Sequence, residues 1–293
     1  MFKLSEIASA LQGRLVGPDC DNIGSITTDS RQARPGQIFF ALKGKNFDGH
    51  NFALEAYRKT NAPVIVEREI KDISQQIIVA DTQKALGQLA NYYRKKFSPL
   101  VIAITGTNGK TTTKNIVGQI LSIKDKTLIT SGTMNNQIGL PLTLLRLTPE
   151  IRYCVLEMGT NSPGEIEQLC RIAQPDVGVL TNIGYGHIGG FKTRNDLIKE
   201  KLSLIENLPP HSIAVVNARI SYIYTNHRIV TFSLYRNAHY HPTRVILNET
   251  GSIFYIGKDR YQTHLLGRVN VENIIGSIAL TTELGVKKEI QKT

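Results

Sequence analysis

Apolar positions along the chain fall into two rhythms, a three-to-four-residue recurrence and short unbroken runs, and the alternation between them predicts helices and strands. Leu4, Ile7, Ala8 and Leu11 have helical spacing, and Gly13 can end that helix. Residues 26–31 lead into a Pro35-Gly36 turn, and 37–42 read as a strand. A polar loop over 43–52 precedes a helix over 53–59, and 63–66 and 76–80 are further short strands. These make a small α/β domain. Asp81 can cap the next helix, whose inner face carries Ala85, Leu86, Leu89, Ala90 and Tyr93. Its last turn, Arg94-Lys95-Lys96, suits the negative end of the helix dipole. Phe97-Ser98-Pro99 breaks it, so the expected domains are 1–97 and 98–293.

From Leu100 onward short apolar runs at 100–105, 127–130, 153–157, 177–181 and 213–217 alternate with helical segments. That alternation predicts an α/β fold with a mostly parallel, doubly wound sheet, whose ligands sit beyond the carboxyl ends of the strands. Residues 220–266 differ: Tyr, Thr, Val and turn residues alternate there, which predicts a run of antiparallel strands. A last helix is expected after Asn273, through Ile274, Ile275, Ile278 and Ala279 to Gly285.

Composition narrows the class. The chain has 293 residues and a formal net charge of +11, with 41% hydrophobic residues. No apolar run reaches the roughly 20 residues of a membrane-spanning helix, and the amino terminus lacks the apolar core of a signal peptide. A cytoplasmic protein without membrane insertion is the expectation. The basic residues are scattered and not interleaved with aromatics, which argues for attraction of small anionic substrates and against nucleic acid. Cys20, Cys154 and Cys170 are odd in number and fit no metal-site spacing, so free thiols are expected.

The chemistry concentrates where the 100–105 run ends. Gly106-Thr107-Asn108-Gly109-Lys110-Thr111-Thr112 separates that strand from a helix with Ile116, Val117, Ile120 and Leu121 on one face. Strand, Gly-rich turn, Lys-Thr and helix in this order make a phosphate loop, although the spacing is shorter than the common G-x-x-x-x-G-K-[ST]. Its N–H groups and the helix start can face phosphate oxygens, Lys110 can reach the terminal phosphates, and the Thr111 hydroxyl can hold Mg²⁺. Glu157, at the end of the 153–157 run, is a natural Mg²⁺ ligand. His187, in a Gly-rich segment beyond another strand end, and the paired amides Asn135 and Asn136 are further candidates. By spacing alone Lys201 is an exposed lysine that ion-pairs along its helix.

Taken together, seven segments in order resemble the Mur ligase family of peptidoglycan synthesis. They are TDSR at 28–31, FFALKGKNFDGHNFA at 39–53, ITGTNGKTTTK at 104–114, NNQIGLPLTLLRL at 135–147, LEMGTNSPGEI at 156–166, TNIGYGHIGGF at 181–191 and GRVNVEN at 267–273. The resemblance implies an ATP-dependent ligase that joins D-alanyl-D-alanine to UDP-N-acetylmuramoyl-tripeptide through an acyl phosphate. It implies that Gly106, Thr107, Asn108, Gly109, Lys110, Thr111 and Thr112 bind ATP, and that Asn273 contacts adenine. Thr111, Glu157 and His187 would hold two Mg²⁺ ions, with Lys110, His187 and a carbamylated Lys201 as the catalytic set. Thr28, Asp29, Ser30, Arg31, Asp48, Gly49 and His50 would face the UDP-sugar, and Asn135 and Asn136 the muramoyl-peptide end. It further implies a monomer, and a third, C-terminal ligase domain that this chain does not include. Val269 stands where the family usually has His, Gln137 where it often has Glu, and Ser203 where Glu is common. The alternatives are a non-catalytic binding module for UDP-muramoyl peptide and ATP, or a folylpolyglutamate or cyanophycin-type ligase. The TDSR and DGH segments argue against the latter.

Overall fold

The computed structural model describes residues 3–21, 24–44, 46–184, 190–220, 226–235 and 237–291. The chain divides into two compact units, one of residues 1–96 with 144–147 and one of 97–143 with 148–293.

In the first unit a five-stranded sheet runs β1 (Arg14–Val16), β5 (Gln76–Ile78), β4 (Val64–Val66), β3 (Ile38–Phe40) and β2 (Ile26–Thr27) from edge to edge. The β2–β3, β3–β4 and β4–β5 pairs are parallel, and β1 joins β5 antiparallel. The central strands β3 and β4 are buried at every position, which is why they read as unbroken apolar runs. Around them are α1 (Leu4–Ala10), α2 (Ala53–Thr60) and α3 (Thr82–Phe97), with a 3₁₀ turn, Gly49–Phe52, leading into α2. One core of the unit gathers Phe39, Ala41, Ala53, Ala56, Val64, Val66 and Ile73.

The second unit carries a six-stranded, all-parallel sheet ordered β11 (Arg228–Phe232), β10 (Ile213–Asn217), β9 (Val177–Leu180), β6 (Leu100–Thr105), β8 (Tyr153–Glu157), β7 (Thr127–Ile129). From β6 the chain moves outward to β7, returns through β8, and then crosses β6 to reach β9. The switch point of this doubly wound sheet therefore lies at the carboxyl end of β6, flanked by β8 and β9. Register aligns Ile104 with Glu157 and Thr105 with Leu180, so three strands end level with one another.

Helices α4 (Lys110–Lys124) and α8 (Arg268–Glu283) pack together with the strands into a core that includes Ile102, Ile104, Val117, Leu121, Val155, Val179, Phe232, Val271 and Ile275. The remaining helices of the unit are α5 (Gly139–Leu144), α6 (Glu165–Ala173), α7 (Arg194–Glu206) and the short α9 (Lys288–Gln291). α7 starts with a capping box in which Thr193 and Asp196 satisfy each other's backbone N–H groups.

Two expectations are corrected. The 220–266 stretch is not one antiparallel run: β11 pairs parallel with β10 and extends the main sheet. Among its described residues, β12 (Arg244–Asn248), β13 (Gly251–Ile256) and β14 (Asp259–Thr263) form the antiparallel sheet. The last helix starts at Arg268 rather than after Asn273, so Asn270 and Asn273 project from its first turns.

Candidate active site

The site is built at the switch point. Gly106 (φ +151°) and Gly109 (φ +80°) carry the sharp turn out of β6, a conformation that a side chain resists. A Cβ on Gly109 would stand 2.2 Å from Asn273 Oδ1, and one on Gly106 2.0 Å from Thr181 Oγ1. The loop is thus gripped from both sides. Asn273 of α8 lies on one side, and the segment after β9 on the other.

That segment supplies a residue the sequence reading did not single out. The Asn182 carbonyl accepts from the Thr107 N–H (3.1 Å), and its side chain accepts from the Asn108 N–H (3.0 Å) and donates to the Asn108 carbonyl (2.9 Å). Two loop amides expected to face phosphate are therefore committed within the protein. The N–H groups left without intrahelical acceptors are those of the α4 first turn, Lys110, Thr111 and Thr112. With the positive end of the helix dipole they make a surface suited to an anion. The Lys110 ammonium folds over the loop, donating to the carbonyls of Gly106 (2.9 Å) and Thr107 (3.1 Å). Burial pulls its pKa below the ordinary lysine value, and the nearby Glu157 carboxylate opposes that shift.

Glu157 is 1% exposed and both its oxygens are engaged. Oε2 accepts from the Thr111 hydroxyl at 2.8 Å, and Oε1 from the Asn135 amide at 2.7 Å. A hydroxyl and a carboxylate brought together beside an anion-binding helix start are hard oxygen donors of the type Mg²⁺ takes. This donor set fits the expected metal.

Lys201 departs from its exposed reading. It lies on α7, 1% exposed, and its pKa is pushed down to about 8. The first cause is burial and the second is the positive charge of Lys110, with Glu200 and Glu165 partly opposing both. Lys201 is thus electrostatically coupled to the phosphate loop. Spacing could not show this, because it depends on which face of α7 turns inward. Its neighbour Glu200 has a structural task, accepting from the Thr160 hydroxyl (3.0 Å) and from the N–H groups of Gly164 (2.6 Å) and Ile166 (2.7 Å). One carboxylate thereby shapes the 160–164 loop and neutralises the start of α6. Asn217, at the carboxyl end of β10, is fully buried, and its amide nitrogen has no hydrogen-bond partner among the described residues.

The other expected residues distribute differently. Asn136 caps α5, its side-chain oxygen accepting from the N–H groups of Ile138 (3.1 Å) and Gly139 (2.9 Å), so that oxygen serves the helix rather than a ligand. His187 lies outside the described residues. In the first unit, Asp29 holds Arg31 in a two-pronged pair, Oδ1 to Nε and Oδ2 to Nη2 at 2.9 Å each. This pairing lowers the Asp29 pKa and raises that of Arg31. Arg31 remains 85% exposed at its side chain, Ser30 is buried, and Thr28 is half-buried beside them. The Asp48-Gly49-His50 loop turns inward instead. His50 Nδ1 lies 2.5 Å from Asp48 Oδ1, and Nε2 accepts the Glu67 N–H at 2.8 Å. With its ring enclosed and both nitrogens used, His50 is an internal strut of the first unit.

Comparison with known proteins gives this geometry a lineage. Residues 22–94 match the Mur ligase family catalytic domain, and residues 104–281 match the Mur ligase middle domain. Among curated relatives, the UDP-N-acetylmuramoyl-tripeptide--D-alanyl-D-alanine ligase of Haemophilus influenzae is 33% identical over 97% of this chain. That of Escherichia coli is 34% identical over 96%. In both cases the chain spans 65% of the relative's length. Among solved structures, MurF from Acinetobacter baumannii superimposes with a TM-score of 0.89 at 35% identity, covering 98% of this chain and 66% of that one. MurF ligase from Thermotoga maritima in complex with ADP gives 0.82 at 29% identity, covering 92% and 66%. The motif order, the phosphate loop gripped at the switch point, and these likenesses together place the chain in the Mur ligase family.

Proposed function

We propose that this chain is the nucleotide- and UDP-sugar-binding part of an ATP-dependent ligase that joins D-alanyl-D-alanine to UDP-N-acetylmuramoyl-tripeptide. The carrying observation is the contact of the Thr111 hydroxyl with Glu157 at 2.8 Å, at the start of the helix that bears Lys110. This arrangement suits Mg²⁺-ATP, and the relatives' names supply the substrates. The first unit binds the UDP-sugar through Thr28, Asp29, Ser30 and Arg31, and the second binds ATP. The protein works in the cytoplasm as a monomer.

The terminal carboxylate of the tripeptide attacks the γ-phosphorus of ATP. A new P–O bond forms, the bond to the β-phosphate oxygen breaks, and ADP leaves. The amine of D-alanyl-D-alanine then attacks the acyl carbon, losing a proton as phosphate departs with the C–O bonding pair. Two anions must meet in the first step, so positive charge has to offset their repulsion. Lys110 and the first-turn amides of α4 supply part of it. Thr111 and Glu157 would hold one Mg²⁺, which adds charge neutralisation when bound. Asn273 borders the loop from α8 and would meet the adenine end. With a pKa near 8, Lys201 has a neutral amine fraction able to take up CO₂ as a carbamate. That changes a cation into an anion suited to a second metal.

The experiment is phosphate release by the protein in its natural reading frame. Release that requires both UDP-muramoyl tripeptide and D-alanyl-D-alanine is expected. Turnover indifferent to the dipeptide would reject the reading.

A further inference from the structure

Lys114 carries an ammonium that the chemistry above does not use. It lies on α4, one turn beyond Lys110, and is 2% exposed. Among the described residues it makes no ion pair with a carboxylate. A buried ammonium is costly unless its donors are well matched, and a carboxylate is the usual match. Here the partners are carbonyls, Thr130 at 2.9 Å and Gly132 at 3.3 Å. Both belong to the segment that leaves β7.

That segment leads straight to the metal-binding pair. The Thr130 hydroxyl accepts from the N–H of Glu157 at 3.1 Å. Three residues beyond Gly132, the Asn135 amide reaches Glu157 Oε1 at 2.7 Å, while the Asn135 carbonyl accepts from the Gly159 N–H at 2.9 Å. Asn135 lies close against Gly159, where a Cβ would come within 2.7 Å of its side-chain oxygen. Lys114 therefore ties down the stem of the loop, and Asn135 at its far end fixes the carboxylate.

We propose that Lys114 is a positioning residue for the metal site. Its ammonium holds the carbonyls of Thr130 and Gly132 so that Asn135 orients Glu157 toward Thr111. Lys114 touches no substrate itself, and its effect passes through Asn135. The proposal rests on the nucleotide-site reading for its link to metal, but not for the Lys114–loop contact.

The test is a double-mutant cycle on the full chain with two readouts. The first is hydrogen exchange of peptides covering 130–136 in the ligand-free protein. Lys114→Met is expected to speed exchange there and leave β6 and β8 unchanged. The second is Mn²⁺ affinity in the presence of ADP, followed by electron paramagnetic resonance. Lys114→Met is expected to weaken it about tenfold, as loss of a residue that orients a ligand does. Asn135→Ala should cause a similar loss, and the double variant no further loss. Unchanged exchange over 130–136, or losses that multiply in the double variant, would overturn the proposal. A lowered melting temperature with unaltered loop exchange and Mn²⁺ affinity would also overturn it, because Lys114 would then serve stability alone. Should Lys114→Met fail to fold, Lys114→Gln replaces the ammonium with a shorter, uncharged amide and is read the same way. If the unmutated chain binds no Mn²⁺ with ADP, the nucleotide-site reading fails, and the exchange experiment still decides the contact.

Discussion

Lys201 and Lys110 show how two like charges can share one site. Both are buried enough to lose hydration, and the Lys110 charge raises the cost of ionising Lys201. Lys201 yields, its pKa falling to about 8 from 10.5. The linkage has a definite sign. Below pH 8 the lysine is charged in folded and unfolded chains alike, and the fold bears the full penalty. Between pH 8 and 10.5 the penalty shrinks, and above that range it is gone. Lys201→Met should therefore gain stability over the unmutated protein at pH 7 and lose most of that advantage by pH 10, in urea titrations at the two pH values. Competitive amine labelling should find Lys201 half reactive near pH 8, and Lys110→Ala should move that midpoint upward because a repelling charge is removed. In assays of turnover, Lys110→Ala should cost on the order of 10²–10³ in kcat, the scale seen when a preorganised charge-stabilising group is lost. The first unit has its own shifted carboxylate. The His50 N–H holds the Asp48 carboxyl down to a pKa of about 2, with the ring adding to the effect against some burial. Its contribution is present above pH 4 and lost as pH falls toward 2. His50→Ala should cost ~2–4 kcal/mol of unfolding free energy, from the cavity and the unsatisfied Glu67 N–H, with ADP affinity unchanged.

At the scale of elements, the order of strands and helices was legible because four of the six strands of the parallel sheet, β6, β8, β9 and β10, are buried over nearly their whole length. Such strands appear as unbroken apolar runs, and 100–105 and 153–157 coincide with β6 and β8 residue for residue. The phosphate loop was legible for a related reason, since a sharp βα turn needs glycine at fixed places. β11 was not. Its exposed and half-buried positions alternate with Val230 and Phe232, which is the rhythm of an antiparallel strand, yet it is an edge strand of the parallel sheet. The roles of Lys201, Asn182 and Glu200 were hidden too, since each depends on tertiary placement that neighbouring residues do not encode. Glu200 offers a clear check. Its carboxylate gathers Thr160, Gly164 and Ile166, so Glu200→Ala should leave buried N–H groups unsatisfied and destabilise the second unit by ~2–4 kcal/mol in denaturant titration. Loss should appear first as faster exchange over 160–166, because this loop has no strand ladder to hold it.

For the whole molecule, the division into two units makes ligand linkage separable. A ligand that binds only folded protein adds RT ln(1 + [L]/Kd), about 2.7 kcal/mol at a hundredfold excess over Kd. Mg²⁺-ADP should confer that protection on peptides covering 105–113 and α8, leaving β3 and β4 in the first unit at their ligand-free exchange rates. A UDP-sugar ligand should do the reverse. The formal net charge of +11 would attract either proposed ligand, because each carries phosphates. Long-range attraction of that kind is screened over about 10 Å at 0.1 M salt and about 3 Å at 1 M. Contacts made inside the site, such as that of Lys110 with a phosphate, are partly buried and screened much less. Raising salt from 0.05 to 0.5 M should therefore slow nucleotide association several-fold and leave dissociation nearly constant in stopped-flow traces. If dissociation changed and association did not, the scattered surface charge would have no steering role. The local cations of the phosphate loop would then carry the whole electrostatic attraction.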